Sequence, residues 1–583
     1  MRICVADIEA DGLLHLQLKK NKEPMSVATK IHCLAIKTLG VDDTRLYTPD
    51  TIMDGYHDLN TYDYVIGHNF IGMDKPAFEK FIGPVKPKVI DTLILSRMLF
   101  PDKYDIPMGR HSLEAWGKWL GHHKGDYQGG WEFYNDDMGE YCMNDVVLNE
   151  LIYYKQRELS KNNPRVPKTS VAMEHKIAEI GASEISHWGF RLDKKRMPEV
   201  RQVLEAEMAE IMFDLKQSFP DEVTPRYHKT TGRPIKPDIV EFNPNSPDKV
   251  GYYFKKYLGY EFDRKEDTGN WCTDKDALKM CPYDEAAKVL EYRDRSTMIG
   301  YLKDWGARVV DSDYIHHTLN GVGTQTGRAS HSDPNLGQVS KASYSRTLFL
   351  PHEGELLVGA DLQGLELRML AHYLATHGNK DYVDVVLNGD VHWHNALLAG
   401  LTKDDSYDPD NPENKQQRNQ AKTFIYGWLY GAGNAKIGKI VNGTQRDGAR
   451  LKEQFLTNIP GLRALKDDVT NQARRYKGVK LVDGRTVPVR SQHAALNTLL
   501  QGSGAMVCKQ WLIRVHEEKV RRNMDAKILA WVHDEIQSSV KPEEVDEYKK
   551  ILIMEANKVQ QDFALNVPVD AEAMVGNNWK ETH

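Results

Sequence analysis

"ILAWVHDEIQSSV", residues 528–540, is a run of strand formers interrupted by three polar residues, His533, Asp534 and Glu535. β-Branched and aromatic residues lead in, and the alternation resumes as far as Val540. Carboxylates inside such a run cost free energy unless the folded chain compensates them. The compensating group has to be sought elsewhere in the sequence.

A partner stands far upstream. Asp361 directly follows the apolar "LLVGA", which reads as a buried strand, and precedes the helical "LELRMLAHYLA". Two carboxylates about 4 Å apart repel by roughly 4 kcal/mol at an effective dielectric of 20. Such a pair persists when divalent cations neutralise it, and Mg²⁺ prefers a few carboxylates together with substrate phosphates.

A second acidic group lies near the other end. Asp7 and Glu9 alternate on a strand and so share a face. Asp74 sits in "GHNFIGMDKPAFEK", and Tyr141 and Asp145 lie four apart on a predicted helix. Three separated segments can thus bring four carboxylates and a phenol to one cavity, a set suited to two-metal hydrolysis of a phosphodiester.

The third feature is "RNQAKTFIYGWLYGAG", residues 418–433. Arg418, Lys422, Tyr426 and Tyr430 recur every four residues on one helical face. Two cations followed by two phenols suit phosphate oxygens at one end and a sugar or base at the other. Gly427, Gly431 and Gly433 allow close approach and help end the helix.

Composition sets the frame. The 583 residues allow several cores, and 27% charged with 40% hydrophobic residues is an ordinary soluble balance. A net charge of −6 gives no general affinity for nucleic acid, but local basic surface decides binding. The six cysteines form no CxxC pair, as expected of a reduced cytosolic protein. No signal-peptide core and no 18-residue apolar run occurs, so an intracellular protein without a membrane span is expected.

Residues 1–160 alternate strands and helices, the mark of an α/β unit. "KNNPRVPK", 161–168, reads as a linker, and 171–220 as amphipathic helix. A Pro- and base-rich loop at 224–237 is followed by more helix to about 309 and short strands from 314 to 360. Helix is expected again over 391–475. The last segment, 479–583, reads as a hairpin, a long helix, the opening strand and a final helix.

"GADLQGLELRMLAHYLA", "RNQAKTFIYGWLYGAG" and "WVHDEIQ" resemble motifs A, B and C of family A (DNA polymerase I-like) DNA polymerases, in the wording of their bacteriophage replicative branch. "DIEADGL", "HNFIGMD" and "YCMND" resemble the three motifs of the 3′–5′ proofreading exonuclease. The resemblance implies a multidomain α/β and α+β chain. A ribonuclease H-like exonuclease domain over 1–165 would precede a right-hand polymerase domain over 166–583. Within the latter, the thumb would span about 170–310, the palm about 311–390 and 479–583, and the fingers about 391–478.

The resemblance makes Asp361 and Asp534 ligands of two catalytic Mg²⁺ ions, with Mn²⁺ as a substitute. Arg418 and Lys422 would hold the triphosphate of a dNTP, with Lys422 a proton donor to pyrophosphate. His392, in "GDVHWH", would stand near the β-phosphate, and Glu366 with Tyr426 would crowd the sugar 2′ position. Arg328, Gln338, His493 and Gln501 match positions that contact the primer–template duplex. Asp7, Glu9, Asp74 and Asp145 would hold two metals of the exonuclease, with Tyr141 orienting the water. The expected partners are primer–template DNA, a helicase-primase and a single-stranded-DNA-binding protein, in a host cytoplasm. A repair nuclease with a non-catalytic DNA-binding C-terminal region, or a non-catalytic scaffold, is the alternative.

A departure lies in the thumb. The thioredoxin-recruiting member of that branch carries a long insertion there, whereas here the connection spans only residues 221–239. Thioredoxin is therefore not expected. Arg226, Lys229, Arg233 and Lys236 instead suggest a stiff, proline-bound tip that tracks phosphates.

Overall fold

The computed structural model describes the chain except for residues 16, 18–24, 229–232, 266–267, 341–342 and 430. It divides into two compact units. One comprises Met1–Arg191, Tyr314–Lys341 and Phe349–His583; the other comprises Leu192–Asp313 with Ala342–Leu348.

The larger unit begins with a five-stranded sheet whose central strand is Ile3–Ala10. Ile31–Thr38 pairs with it antiparallel and Tyr64–Gly67 parallel; Arg45–Tyr47 and Lys88–Asp91 form the edges. Helix cover on both faces explains the near-continuous apolar reading of "HCLAIKTL". On one face Val5, Cys33, Ala35 and Ile66 pack against Met138, Cys142 and Val146 of the helix Asp136–Ser160. That helix starts where Asn135 accepts from the N–H of Met138, with Asp136 and Asp137 in its first turn. Asp7 and Glu9 continue the line of Val5 along the strand.

The polar stretch 161–168 is more than a linker. Val166 is buried, Arg165 Nη1 donates to the carbonyl of Leu99, and the N–H of Thr486 donates to the carbonyl of Pro164. The helix Lys168–Ile180 then widens into one π-turn, Gly181–Ile185. Glu184 in that turn takes Lys519 and His516 as charge partners, and Glu174 before it takes Arg485 and Lys509.

The second sheet of this unit has four antiparallel strands, in the order Lys527–Val532, Glu535–Val540, Leu356–Leu362, Ala571–Gly576. The opening stretch is therefore not one strand with a polar break. It is a hairpin whose two-residue turn is His533–Asp534, with Val532 opposite Glu535 and His533 at φ 60°. Every residue of both strands is buried, so the expected alternation is absent. The strand Ala571–Gly576 follows the helix that was expected to be final. The long helix Ala495–Arg521 backs the site, and the hairpin Gly478–Lys480 with Thr486–Pro488 is as expected.

In the smaller unit the helices Met197–Ser218 and Asp284–Arg308 share a core of Leu215, Phe219, Phe242, Tyr253, Phe254 and Val289. The base-rich segment is a β-hairpin, Glu222–Tyr227 with Pro234–Val240, and not a loop. Its register slips between Thr224 and Arg226, at Pro225, where proline has no N–H to give the ladder. Glu222 anchors the base: Lys256 Nζ lies 2.8 Å away, and the hydroxyls of Tyr252 and Tyr257 donate to it.

Among the described residues no helix is long and apolar enough to cross a membrane.

Candidate active sites

The N–H of Leu362 donates to the carbonyl of Asp534 at 3.0 Å, and Asp361 stands across the ladder from Glu535. The two aspartates are thereby adjacent, one ending a strand and the other in the hairpin turn. Beside them Gly364, at φ 55°, turns the chain into the helix Leu365–Thr376, which carries Glu366 in its first turn. Arg328 Nη2 lies 3.6 Å from Glu366 Oε1. A cavity of about 420 Å³ is lined by Arg328, Glu366, Cys508, Trp531, His533 and Asp534. Burial, and next the charge of Glu366, raises the pKa of Asp534. Cys508 reads the same field: burial first, then Asp534, Glu366 and Asp361 together, keep its thiol protonated.

Glu535 does not join this group. It is buried, accepts hydrogen bonds from Trp579 Nε1 and Gln537 Nε2, and faces His583 Nδ1 at 2.7 Å. The three polar residues of the opening stretch thus have three fates: His533 is exposed, Asp534 turns to the cavity, and Glu535 is satisfied within the fold.

The helix Pro412–Leu429 holds Arg418, Lys422 and Tyr426 along one face as expected; Tyr430 lies outside the described residues. Arg418 Nε donates to Asp390 Oδ2 at 2.6 Å. Asp390 Oδ1 caps the helix Val391–Ala399, accepting from the N–H groups of His392 and Trp393. Asp390 was not singled out in the sequence, although an acid just before a helix is a cap signal. His392 is pushed down to about 4, by burial first and then by Arg418 and Lys422, so its ring is neutral. Its centroid lies 6.1 Å from that of Tyr426. The Tyr426 phenol is raised by burial and then by Glu366 and Asp534, which ties the cationic helix to the carboxylates. Of the four residues expected at the duplex, Arg328 lines the cavity. Gln338 and His493 are exposed and Gln501 is half-buried, all outside its lining.

The second cluster also assembles. Asp74 Oδ1 accepts from the N–H of Ile8, between Asp7 and Glu9. Asp91, another residue not foreseen, pins the loop before Asp74 by accepting from the N–H groups of Asn69 and Ile71. Asp7 is raised well above its usual value, by burial and then by Asp74, Asp145 and Glu9. Burial likewise pushes Glu9 to about 9, Asp74 to about 8 and Asp145 to about 6. Tyr141 lies one turn before Asp145, beside Tyr127 and Trp131. Lys124 Nζ is 2.9 Å from Asp145 Oδ2 and 4.8 Å from the Tyr141 ring centre. Ligand atoms of Asp7, Glu9 and Cys142 lie within 4.8 Å of one another, but the thiol donates to the carbonyl of Asp7. Asp145 Oδ1 is buried with no hydrogen-bond partner among the described residues. Four crowded carboxylates and an unmatched buried oxygen fit hard divalent cations.

An acidic pair near a strand end and in a hairpin turn, tied through Tyr426 to a helix that also carries Arg418 and Lys422, defines an enzyme that transfers phosphoryl or nucleotidyl groups. Residues 215–581 match the family model described as DNA polymerase family A. The chain belongs to that family, and its activity is template-directed DNA synthesis. It is 29% identical to the DNA-directed DNA polymerase of Enterobacteria phage T3 and 28% identical to that of Escherichia phage T7. Each alignment covers 99% of this chain and 100% of the relative. DNA polymerase I of Lactococcus lactis is 28% identical over 58% of this chain and 40% of its own length. A solved structure, the POL domain of Pol1 from M. smegmatis in complex with DNA primer-template and dNTP, shares the fold. Its TM-score is 0.76 at 18% identity, over 99% of this chain and 96% of that one.

Proposed function

We propose that the chain combines replicative DNA synthesis with 3′–5′ exonucleolytic proofreading, in two separate carboxylate sites that use Mg²⁺, with Mn²⁺ as a substitute. The observation that carries the reading is the hydrogen bond setting Asp534 beside Asp361, within the field felt by Tyr426 of the cationic helix.

Asp361 and Asp534 would hold two divalent ions in synthesis, and Asp7, Glu9, Asp74 and Asp145 two in proofreading. Such ions, when bound, lower the pKa of the attacking oxygen and stabilise the leaving one. Arg418 and Lys422 bind the triphosphate oxygens of the incoming dNTP, and Lys422, whose side chain is exposed, can give pyrophosphate a proton. Neutral His392 donates an N–H to the β-phosphate. Tyr426 and Glu366 wall the sugar; Tyr430, the other residue expected to bind the nucleotide, lies outside the described residues. Arg328 reaches the minor-groove acceptors common to all base pairs; Gln338, His493 and Gln501 follow the duplex further out. Tyr141 orients the water of the hydrolytic site.

In domain terms, residues 1–165 form a ribonuclease H-like exonuclease. The polymerase domain, 166–583, has its thumb at about 170–310, palm at about 311–390 and 479–583, and fingers at about 391–478. The thumb hairpin presents Arg233 and Lys236 to phosphates; Arg226 is shared with Asp238 at 3.0 Å, and Lys229 lies outside the described residues. The alignments with the phage relatives run over 732 residues against the 583 of this chain, so those relatives carry segments that this chain lacks. The connection over 221–239 is short, and thioredoxin is not an expected partner. A helicase-primase and a single-stranded-DNA-binding protein are the expected replisome partners, in a host cytoplasm.

The test is a labelled primer–template with Mg²⁺. Without dNTPs the primer should shorten from its 3′ end; with them it should lengthen to the template end. Failure to lengthen contradicts the synthesis reading, and failure to shorten contradicts the proofreading one.

A further inference from the structure

Lys124 has no place in the motifs that mark the hydrolytic site, yet the fold holds it there from two directions. It follows the helix Leu113–Leu120, which ends at Gly121 with φ 74°. Asn144 Nδ2 donates to the carbonyls of Lys124 (2.6 Å) and His123 (3.0 Å), while its Oδ1 lies 2.9 Å from His122 Nε2. The next residue, Asp145, takes the ammonium. Consecutive side chains of one helix thus fix the backbone and the charge of the same lysine.

The lysine side chain is 24% exposed and that of Asp145 3%, so the ammonium sits at the mouth of the cluster, over the Tyr141 ring. Its field also reaches Asp7 and Glu9. Two divalent ions would neutralise the four carboxylates and no more. A phosphodiester brings one further negative charge, and the attacking oxygen adds another in the transition state. Lys124 is the cation placed to meet that excess, on an aromatic wall of Tyr127, Trp131 and Tyr141 that suits unpaired bases.

We propose that Lys124 is a catalytic residue of the 3′–5′ exonuclease, its Nζ donating to a non-bridging oxygen of the scissile phosphodiester. Water adds its oxygen to phosphorus, and the bond from phosphorus to the preceding nucleotide's 3′-oxygen breaks. The proton lost by the water is balanced by the one that 3′-oxygen takes up, and the ammonium stays charged throughout. The inference rests on the proofreading reading of this site.

Full-length wild type, Lys124→Ala, Lys124→Arg and Asp7→Ala are compared on a single-stranded oligonucleotide with Mg²⁺. Losing one preorganised donor to the transition state should lower kcat for 3′ nucleotide release roughly 100-fold or more in Lys124→Ala. KM should move less than kcat, and Lys124→Arg should recover most of the loss, with thermal unfolding unchanged in all. As a readout independent of turnover, Lys124→Ala should weaken anisotropy-measured binding of the same oligonucleotide in EDTA. Undiminished kcat in Lys124→Ala, or a loss that follows unfolding temperature and is not rescued by Arg, overturns the inference alone. No release by wild type overturns the proofreading reading with it, whereas release lost in Asp7→Ala upholds that reading.

Discussion

Leu362 donates its N–H to the carbonyl of Asp534 at 3.0 Å, the last rung that joins the strand of Asp361 to the turn of the 527–540 hairpin. One backbone bond thus sets the spacing of two carboxylates that are remote in sequence. Lengthening the turn by one residue, with glycine inserted after His533, should leave both strands paired but displace Asp534. Extension should fall at least 100-fold, while unfolding temperature changes by only a few degrees; retained extension would show that this spacing does not matter.

Asp390 does two things at once: it caps the helix Val391–Ala399 and holds Arg418. Asp390→Ala should cost about 1 kcal/mol of stability through the lost cap. It should also raise the KM for dNTPs several-fold, because Arg418 loses its orientation. Asp390→Asn keeps an acceptor for the cap and should restore stability better than KM. Equal recovery of both would contradict the dual role.

Tyr426, on the same helix as Arg418 and Lys422, is half-buried, and its phenol feels the charge of Glu366. A phenol there can supply polar contacts that a nucleotide without a 3′-hydroxyl lacks. Wild type should therefore incorporate dideoxynucleotides readily and Tyr426→Phe should reject them strongly, as read by chain termination; equal termination by the two forms would refute it. Glu366→Ala should impair normal synthesis.

Glu174 is buried with two cations, Lys509 and Arg485, and all three side chains are at most 3% exposed. Arg485 keeps a second buried carboxylate, Asp483, at 2.6 Å, but Lys509 loses its ion-pair partner, so Glu174→Ala should destabilise by about 3–5 kcal/mol in urea unfolding. A loss under 1 kcal/mol would show the network to be slack.

His15 stacks on His316 with centroids 4.2 Å apart. Burial, then His316, Lys80 and His187, pushes His15 down to about 3. Between that value and the ordinary one near 6.5, the unfolded chain binds a proton that the folded chain refuses, so stability falls as pH falls. One such imidazole costs roughly 2 kcal/mol at pH 5. His15→Phe keeps a stacked ring and should shrink the loss of unfolding free energy between about pH 7.5 and 5. An unchanged pH dependence would exclude His15 as its source.

Much of both sites was legible because carboxylates and cations occur at spacings that a strand or helix turns into a shared face. Asp7 with Glu9, Tyr141 with Asp145, and Arg418 with Lys422 all follow that rule. What failed to show has specific physical causes. The hairpin at 533–534 was hidden because both strands are wholly buried and lack alternation, and because His-Asp is not the usual pair for a tight turn. The hairpin Glu222–Tyr227 with Pro234–Val240 was hidden by its prolines, and its register slips at Pro225, where one residue stands against two on the partner strand. Lys124 lies in a segment without periodicity, and only the contacts of Asn144 and Asp145 reveal it.

The central claim is that two carboxylate sites, far apart in sequence, run opposite reactions on one primer end. The most direct test follows a 5′-labelled primer on its template with Mg²⁺, comparing Asp534→Ala with the double variant Asp7→Ala, Glu9→Ala. The account predicts that Asp534→Ala shortens the primer but cannot extend it, and that the double variant extends it but cannot shorten it. Loss of both activities in either protein, with circular dichroism unchanged, would contradict it.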